Sequence, residues 1–591
     1  MEYNHLITTL RERRGWSDEF LYDLNNPHHD MLMSMSDMIK ALRRIHKKQS
    51  HLVVLPDFDM DGITSAVIGY AGLSELGFNV SLYRPTYTRG HGVTITDIDE
   101  IISRFPTTKA IITCDVGIND HEGIDYAKSK GLEVLVTDHH KEGPSRTKAD
   151  VIVNPARFDE TYALTGICGA HVLYQVVHTY ARVAQPHKRE TIELLRLFAG
   201  IGTVADVMPM LKENRKLTKD SYFIARMLYA DPEIHQVEDA PLLKILKVEN
   251  HHPVFYSAFE GMAVALREFA LKGKLRMADD IDAMFYGFYL APAFNAIRRT
   301  EAELDDAFEV FFGTNKYAPM ERIFENNEKR KQLVACLTEE IRTSEQPYAP
   351  FIYLTHATSG MMGLLANTLM RTSGLPTVAL GYPGSRNEKG GSSRSPEWYP
   401  LNSRVNELCE RAEAIGHENA CGVRVQSIED IPHLAAFLEE DSTLVFQELM
   451  ASGALSELES SDLTFGTTPD VDGDIDDTDS IFELIAFIES MKPFGEAIPE
   501  PVMGIKTDLK SCRFDLLPRA REGEDVEQKH LRITLPNGMK CLWWNHAHML
   551  ERLNADGVSK ATIQGRFEIN TFMGNTSIDL IVTDVLLDHE E

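Results

Sequence analysis

The chain has 591 residues, 43% hydrophobic and 25% charged, which is too much for one core and ordinary for a soluble globular protein of roughly three or four domains. Its formal charge of −29 excludes a surface attractive to polyanions everywhere, so a polyanion must enter a local basic channel or be held by bound cations. No apolar run approaches the ~18–20 residues of a membrane span, the first residues lack a signal-peptide core, and 7 scattered cysteines without a CxxC pair suit a reducing cytoplasm rather than a zinc ribbon or disulfide framework.

Over the first 220 or so residues, short apolar runs at 51–56, 79–83, 109–114, 132–137 and 150–153 alternate with helical patterns such as Ser65–Leu76 and Glu122–Lys130. That alternation predicts parallel βαβ units with ligands at the strand C-termini. Residues 186–345 read as mostly helical, closing with a connector helix over Pro319–Arg342 whose proline sits in the first turn. A second α/β unit follows: strand Phe351–Leu354, helix Gly363–Arg371 and strand Thr377–Leu380, interrupted by the glycine- and serine-rich loop GSRNEKGGSSRS at 384–395. The acidic stretch 464–479 reads as a solvated linker; Asp472, Asp474 and Asp476 alternate as in a calcium loop, but Asp477 stands where that loop needs glycine. From about residue 500, runs at His530–Leu535, Cys541–Trp544, Ala561–Ile569 and Ile578–Val585 predict a small β barrel or sandwich. The implied division is 1–225, 226–345, 346–460 and 461–591.

The chemistry begins at LVVLPDFDMDG, where a buried strand runs into Asp57, Asp59 and Asp61. Helix-capping aspartates in an acidic turn are the simpler reading of one such sequence. Three further runs repeat the theme: AIITCDVG ends in Asp115, LEVLVTDHH in Asp138, His139 and His140, and GTVADV in Asp206. Four predicted strand ends would converge at one sheet edge as a ring of carboxylates and imidazole. Carboxylates so close repel one another and stay ionised together only beside a cation. Oxygen-rich ligands with histidine and no thiolate suit Mn²⁺ or Mg²⁺, and two such ions ~3.5–4 Å apart are the usual apparatus for hydrolysing phosphate esters.

The ordered set DFDMDG, CDVG, TDHH and GTVADV resembles motifs I to IV of the DHH phosphoesterase superfamily, and its spacing resembles the RecJ branch of 5′→3′ single-strand exonucleases. GICGAHVLYQVV (166–177) and FNAIRR (294–299) resemble further elements of that branch. GGSSRS (390–395) and GHENACG (416–422) resemble signatures of the associated DHHA1 domain, and PFGEAIPEPV (493–502) the entry to the RecJ oligonucleotide-binding (OB) domain. The implied fold is α/β: a parallel-sheet DHH domain, a connector helix, a smaller α/β DHHA1 domain and a C-terminal OB-like β domain. The resemblance implies that Asp59 and Asp115, assisted by Asp57, hold one ion, while Asp61, Asp115, His139 and Asp206 hold the other. His140 would face the scissile phosphate with Asp138 orienting the histidines, and water would be the nucleophile with no side-chain base. Arg394, Ser392, Ser393, Ser395, Arg299 and His417 would hold substrate phosphates, and Trp398, Trp543 and Trp544 are candidates for stacking bases.

Three positions depart from the family pattern. Arg298 replaces the glycine of N-A-x-G-R, Arg89-Gly90-His91-Gly92-Val93 replaces E-G-Y-G-L, and Ile415 replaces the first glycine of G-G-H. These departures border the substrate channel and spare the metal ligands. The expectation is therefore a Mn²⁺- or Mg²⁺-dependent 5′→3′ exonuclease on single-stranded DNA in recombination and repair, a cytoplasmic monomer with no membrane association, working alongside a helicase and a single-strand-binding protein. Two alternatives stay open: a phosphodiesterase for short RNA or cyclic dinucleotides, and a scaffold that has lost catalysis.

Overall fold

The computed structural model describes residues 5–25, 31–85, 92–300, 305–451, 471–476, 481–518, 528–554, 558–572 and 575–589. Strands β1 (His51–Pro56), β2 (Val80–Leu82), β3 (Thr108–Cys114), β4 (Glu133–Thr137) and β5 (Val151–Val153) form a wholly parallel sheet in the order β2-β1-β3-β4-β5. The strands read as continuous apolar runs because both faces are covered. Leu52, Val54, Ile112 and Leu135 pack into one core with the helices Met60–Glu75, Gly169–Ala184 and Arg196–Ala205, whereas Val53, Leu55, Ile111 and Val136 pack into another with Ile95–Arg104 and His121–Ser129. Between β1 and β3 the connections diverge to opposite sides, which opens a crevice at the C-terminal edge.

The helix Met60–Glu75 is buried at every residue except Tyr70, as its apolar residues on all sides require. The region after the first sheet is mostly helical, and the long helix Tyr317–Thr343 carries Pro319 in its first turn, where a missing N–H costs nothing.

The second sheet contains β6 (Ile352–Thr355), β7 (Thr377–Gly381), β8 (Gly390–Arg394), β9 (Ala412–His417) and β10 (Ala420–Val425) in the order β6-β7-β8-β10-β9. Part of the expected glycine–serine loop is thus the central strand. Gly391 is there for proximity: a Cβ on it would stand 1.9 Å from the Ala379 carbonyl oxygen. The chain amides of β8 are consequently spent on antiparallel ladders with β7 and β10 rather than free for a ligand.

The described residues within 5–24, 471–494 and 498–589 pack as one unit, and those within 25–451 with 495–497 as another. The N-terminal residues, read from sequence as the start of the first domain, belong to the unit of the C-terminal sheet. That sheet has β11 (Gly473–Asp476), β12 (Met503–Asp508), β13 (Arg513–Leu517), β14 (His530–Thr534), β15 (Lys540–Trp543), β16 (Val558–Phe572) and β17 (Asn575–His589), ordered β11-β12-β16-β17-β15-β14-β13. The expectation of a solvated linker fails at 472–476, while Asp477 lies outside the described residues. Asp472 is buried, pairs with both ends of the Arg14 guanidinium and accepts the Val502 N–H at 2.8 Å. Asp474 pairs with Lys506 at 2.9 Å across the β11–β12 ladder, so the alternating aspartates build a strand, not a calcium loop.

Asp472→Ala leaves the Arg14 guanidinium without its carboxylate and the Val502 amide without its acceptor. It is expected to destabilise the C-terminal unit by roughly 3 kcal/mol, read as a lower urea midpoint with and without calcium. A shift seen only with calcium present would restore the calcium-loop reading.

Candidate metal centre

Three strand ends deliver carboxylates to the crevice. After β1, Asp57 continues the ladder by donating its N–H to the Cys114 carbonyl at 3.0 Å. Asp59 is the N-cap of the helix Met60–Glu75: its Oδ1 accepts the Asp61 and Gly62 amides at 3.0 and 3.1 Å, which leaves Oδ2 for another partner. The capping and cation-binding readings of this aspartate therefore coexist. Asp61 accepts the Gly169 and Ala170 amides at 2.6 and 3.0 Å, from the first turn of Gly169–Ala184. Asp115 follows β3 with φ 66°, in the left-handed region that aspartate tolerates better than most residues. After β4 come Asp138, His139 and His140.

Asp206 arrives differently. Expected at a strand end, it is instead the C-cap of the helix Arg196–Ala205. The helix carries glycines where neighbours press on it: a Cβ on Gly202 would stand 2.4 Å from Asp61 Oδ1, and one on Gly200 would stand 2.3 Å from the Ser221 Cβ. Those glycines weaken the helical signature in the sequence. A carboxylate at the negative end of a helix is disfavoured, and a nearby cation offsets that cost.

All seven predicted centre residues meet. His139 Nε2 lies 3.1 Å from Asp115 Oδ1, 3.4 Å from Asp206 Oδ2 and 3.8 Å from Asp61 Oδ2. Ligand atoms of Asp61, His139 and Asp206 fall within 4.8 Å of one another, as do those of Asp57, Asp59 and Asp115, and those of Asp115, His139 and His140. Asp115 Oδ1 and Asp206 Oδ2 are buried and accept no hydrogen bond among the described residues. Burial, then the charge of Asp61 and its neighbours, pushes the Asp115 and Asp206 carboxyls well above the usual carboxylate range. Burial and Asp59 push Asp61 up to about 6, against the pull of its two amide donors. Burial and the charge of His140 lower His139 to about 3, so it is a neutral imidazole. Orphaned oxygens, an uncharged nitrogen and carboxylates that cannot all ionise alone fit one or two divalent ions.

His140 has the opposite character. Burial disfavours its charge, but Asp138 Oδ1, 2.8 Å from Nδ1, holds its pKa up at about 9, so it is an imidazolium at neutral pH. Asp138 also accepts the amides of Ile118, His139 and His140 at 2.9, 2.7 and 3.1 Å, and despite burial it stays ionised down to about 2. Asn154 donates to the His140 carbonyl at 3.0 Å. Two further residues support the centre and escaped the functional reading of the sequence. Asn295 accepts the Met60 amide at 2.8 Å, and Asn214 donates to the Gly166 and Pro209 carbonyls at 2.7 and 2.9 Å, tying down the turns that flank Gly169 and Asp206. Asn295 lies in the quoted FNAIRR; Asn214, in the charged first turn of the helix Lys212–Leu228, carries no signal.

The expected phosphate side divides. Arg299 is largely buried, donates to the Gly360 carbonyl at 2.8 Å, and has its pKa lowered to about 10 by burial and then by Arg298, Arg394 and Arg330. Arg394 donates to the Ser393 carbonyl at 2.7 Å beside Gly363. Ser392 shares its strand face, because β8 alternates. Ser393 and Ser395 point the other way: their buried hydroxyls donate to the Cys421 and Tyr399 carbonyls at 3.0 and 2.6 Å. They are structural, not phosphate ligands. His417, at the end of β9, has its pKa lowered by partial desolvation and then by the charges of His140 and Arg394, which places it at the centre's rim. Trp398 packs on Tyr399 and Phe446 and Trp543 is buried against His546, whereas Trp544 is 47% exposed beside His530. Of the departures, Arg298 and exposed Ile415 are placed, while residues 89–91 lie outside the described residues.

The geometry has counterparts in known proteins. The model of the DHH family, N-terminal domain, matches residues 51–201, and that of the RecJ OB domain matches 471–584. The chain thus carries a match to the DHH family at its first sheet and a match to the RecJ OB domain at its C-terminal sheet. It is 25% identical to the single-stranded-DNA-specific exonuclease RecJ of Salmonella typhimurium, over 94% of this chain and 90% of that one. Against the Escherichia coli protein of the same name it is 24% identical, again over 94% and 90%. The crystal structure of RecJ in complex with Mn²⁺ from Thermus thermophilus shares the fold, with a TM-score of 0.66 at 19% identity over 98% of this chain and 75% of that one. Among the described residues, no helix is long and apolar enough to cross a membrane.

The raised carboxyl pKa values set a pH signature. Groups raised in the folded state contribute stability that is complete below the unfolded value near ~3.9. That stability is lost as the pH rises through about 6, the folded value of Asp61. A divalent ion relieves the repulsion, so the rise in melting temperature on adding Mn²⁺ to chelator-treated protein is expected to be small near pH ~5 and several degrees near pH ~7.5. A rise independent of pH would contradict the carboxylate-cage description.

Proposed function

We propose that this chain is a Mn²⁺- or Mg²⁺-dependent exonuclease that removes nucleotides from the 5′ end of single-stranded DNA. The observation that carries the reading is the pair of ligand sets that meet at Asp115, Asp57–Asp59–Asp115 on one side and Asp61–His139–Asp206 on the other. Support comes from relatives that are named single-stranded-DNA-specific exonucleases and align over most of the chain.

Asp59 and Asp115, assisted by Asp57, would hold one ion, and Asp61, Asp115, His139 and Asp206 would hold the other. Two divalent ions bound there supply Lewis acidity toward water and phosphate. The protein's own groups do the rest. His140, cationic and fixed by Asp138, donates to a phosphate oxygen and opposes the charge that grows on it. Asp138 stays anionic and keeps the ring in one orientation. Arg394 and Arg299 bind backbone phosphates across the cleft, with Ser392 and His417 beside them, and no side chain needs to act as general base. Work in recombination and repair beside a helicase and a single-strand-binding protein, by a cytoplasmic monomer, belongs to the same proposal.

Digestion of end-labelled single strands with Mn²⁺ tests it. Wild type is expected to release mononucleotides from the 5′ end, and Asp115→Ala to lose at least about a hundredfold in rate. Equal rates in the two proteins would defeat the two-ion assignment. A substrate-length series separates the nearest alternative: activity confined to strands of two to five nucleotides would favour a short-RNA or dinucleotide phosphodiesterase.

A further inference from the structure

Arg298 stands where the family pattern has glycine, and the structure turns it toward the metal centre. Its guanidinium carbon lies 4.9 Å from the centroid of Phe58, a residue of the DFDMDG turn, and its Nη1 is 3.6 Å from Asp59 Oδ2. The second distance is an ion pair but too long for a hydrogen bond. Its buried Nε has no hydrogen-bond acceptor among the described residues. A planar cation with five donors is thus fixed on an aromatic face at the rim of the centre, with its donors largely unspent.

The surroundings call for an anion. Arg298, Arg299, Arg330 and Arg394 are close enough for the other three to depress Arg299. Among the described residues only Arg298 of these four has a carboxylate within ion-pair distance, and the chain as a whole carries −29. The remaining carboxylate oxygen of Asp59, its Oδ2, is also the atom left for an ion once Oδ1 caps the helix. A guanidinium beside that ion matches an oxygen of the phosphate the ion would hold.

We propose that Arg298 is a further substrate-binding residue of this chain, its guanidinium seated on Phe58 and taking a non-bridging oxygen of the reacting phosphate. The proposal rests on the phosphodiesterase reading of the same centre. A purely structural Arg298, serving only to neutralise Asp59, would behave differently: its loss would disturb the Asp59 turn and weaken metal binding. A phosphate-binding Arg298 repels the ion slightly, so its loss leaves metal affinity unchanged or tighter.

The test uses the full chain and calorimetry, with Arg298→Ala and the conservative Arg298→Lys. Chelator-treated protein is titrated with Mn²⁺, and Mn²⁺-loaded protein with thymidine 5′-monophosphate. The expected result for Arg298→Ala is Mn²⁺ affinity equal to or above wild type with nucleotide affinity about ten- to a hundredfold weaker, partly rescued in Arg298→Lys. Nucleotide affinity within about twofold of wild type would overturn the proposal. So would a parallel loss of Mn²⁺ affinity and melting temperature in both variants. If the wild type binds Mn²⁺ and nucleotide yet degrades no single strand, the exonuclease reading falls, while the same binding constants still decide the role of Arg298.

Discussion

Asp57, Asp59, Asp61, Asp115 and Asp206 are held closer together than their charges favour, and most of the surrounding structure can be understood as the means of holding them there. The parallel sheet brings β1 and β3 side by side so that Asp57 and Asp115 leave adjacent strand ends. Helix amides at Gly169 and Ala170 hold Asp61, and a small-residue helix lets Asp206 approach. Among the described residues the buried Asp115 Oδ1 and Asp206 Oδ2 accept no hydrogen bond, and such atoms are costly unless something cationic meets them. The crowding thus makes this cluster one that a divalent ion would relieve.

Around this negative centre the two histidines take opposite protonation states from one neighbourhood. His139 faces the carboxylate oxygens through Nε2 but is buried with His140 beside it, so it is neutral and fit to be a ligand. His140 has a dedicated carboxylate in Asp138, so it is cationic and fit to meet a phosphate. A positive rim follows, with Arg298 and Arg299 on the helix Ala291–Arg299 and Arg394 on β8, within one packed unit. Acidic centre and basic rim are complementary to a metal-bound phosphodiester, in a chain whose net charge alone would repel nucleic acid.

Much of this was legible in the sequence, for identifiable reasons. Strand runs such as LVVLP, KAIITC and EVLVT are continuous and β-branched, so their ends, and the aspartates after them, could be located within a residue or two. The connector helix was legible from its length and its first-turn proline. Asp206 was assigned to the right place by the wrong element, because Gly200 and Gly202 answer to tertiary proximity rather than to helix propensity. The same conflict hid β8, where Gly391, which signals a loop, is needed for the approach to Ala379. Asp472 looked solvated because its partner, Arg14, lies 458 residues away in the chain. Asn214 was illegible for a related reason: nothing local marks an amide that bridges two turns. The serines of GGSSRS show the converse, since a motif names residues without saying which face of a strand they occupy.

The central claim is that two ions share Asp115. Anomalous diffraction from crystals of the chain soaked in Mn²⁺ tests it most directly. The account expects two anomalous peaks about 3.5–4 Å apart, one bounded by Asp57, Asp59 and Asp115 and the other by Asp61, Asp115, His139 and Asp206. A single peak, or two that do not both contact Asp115, would contradict it.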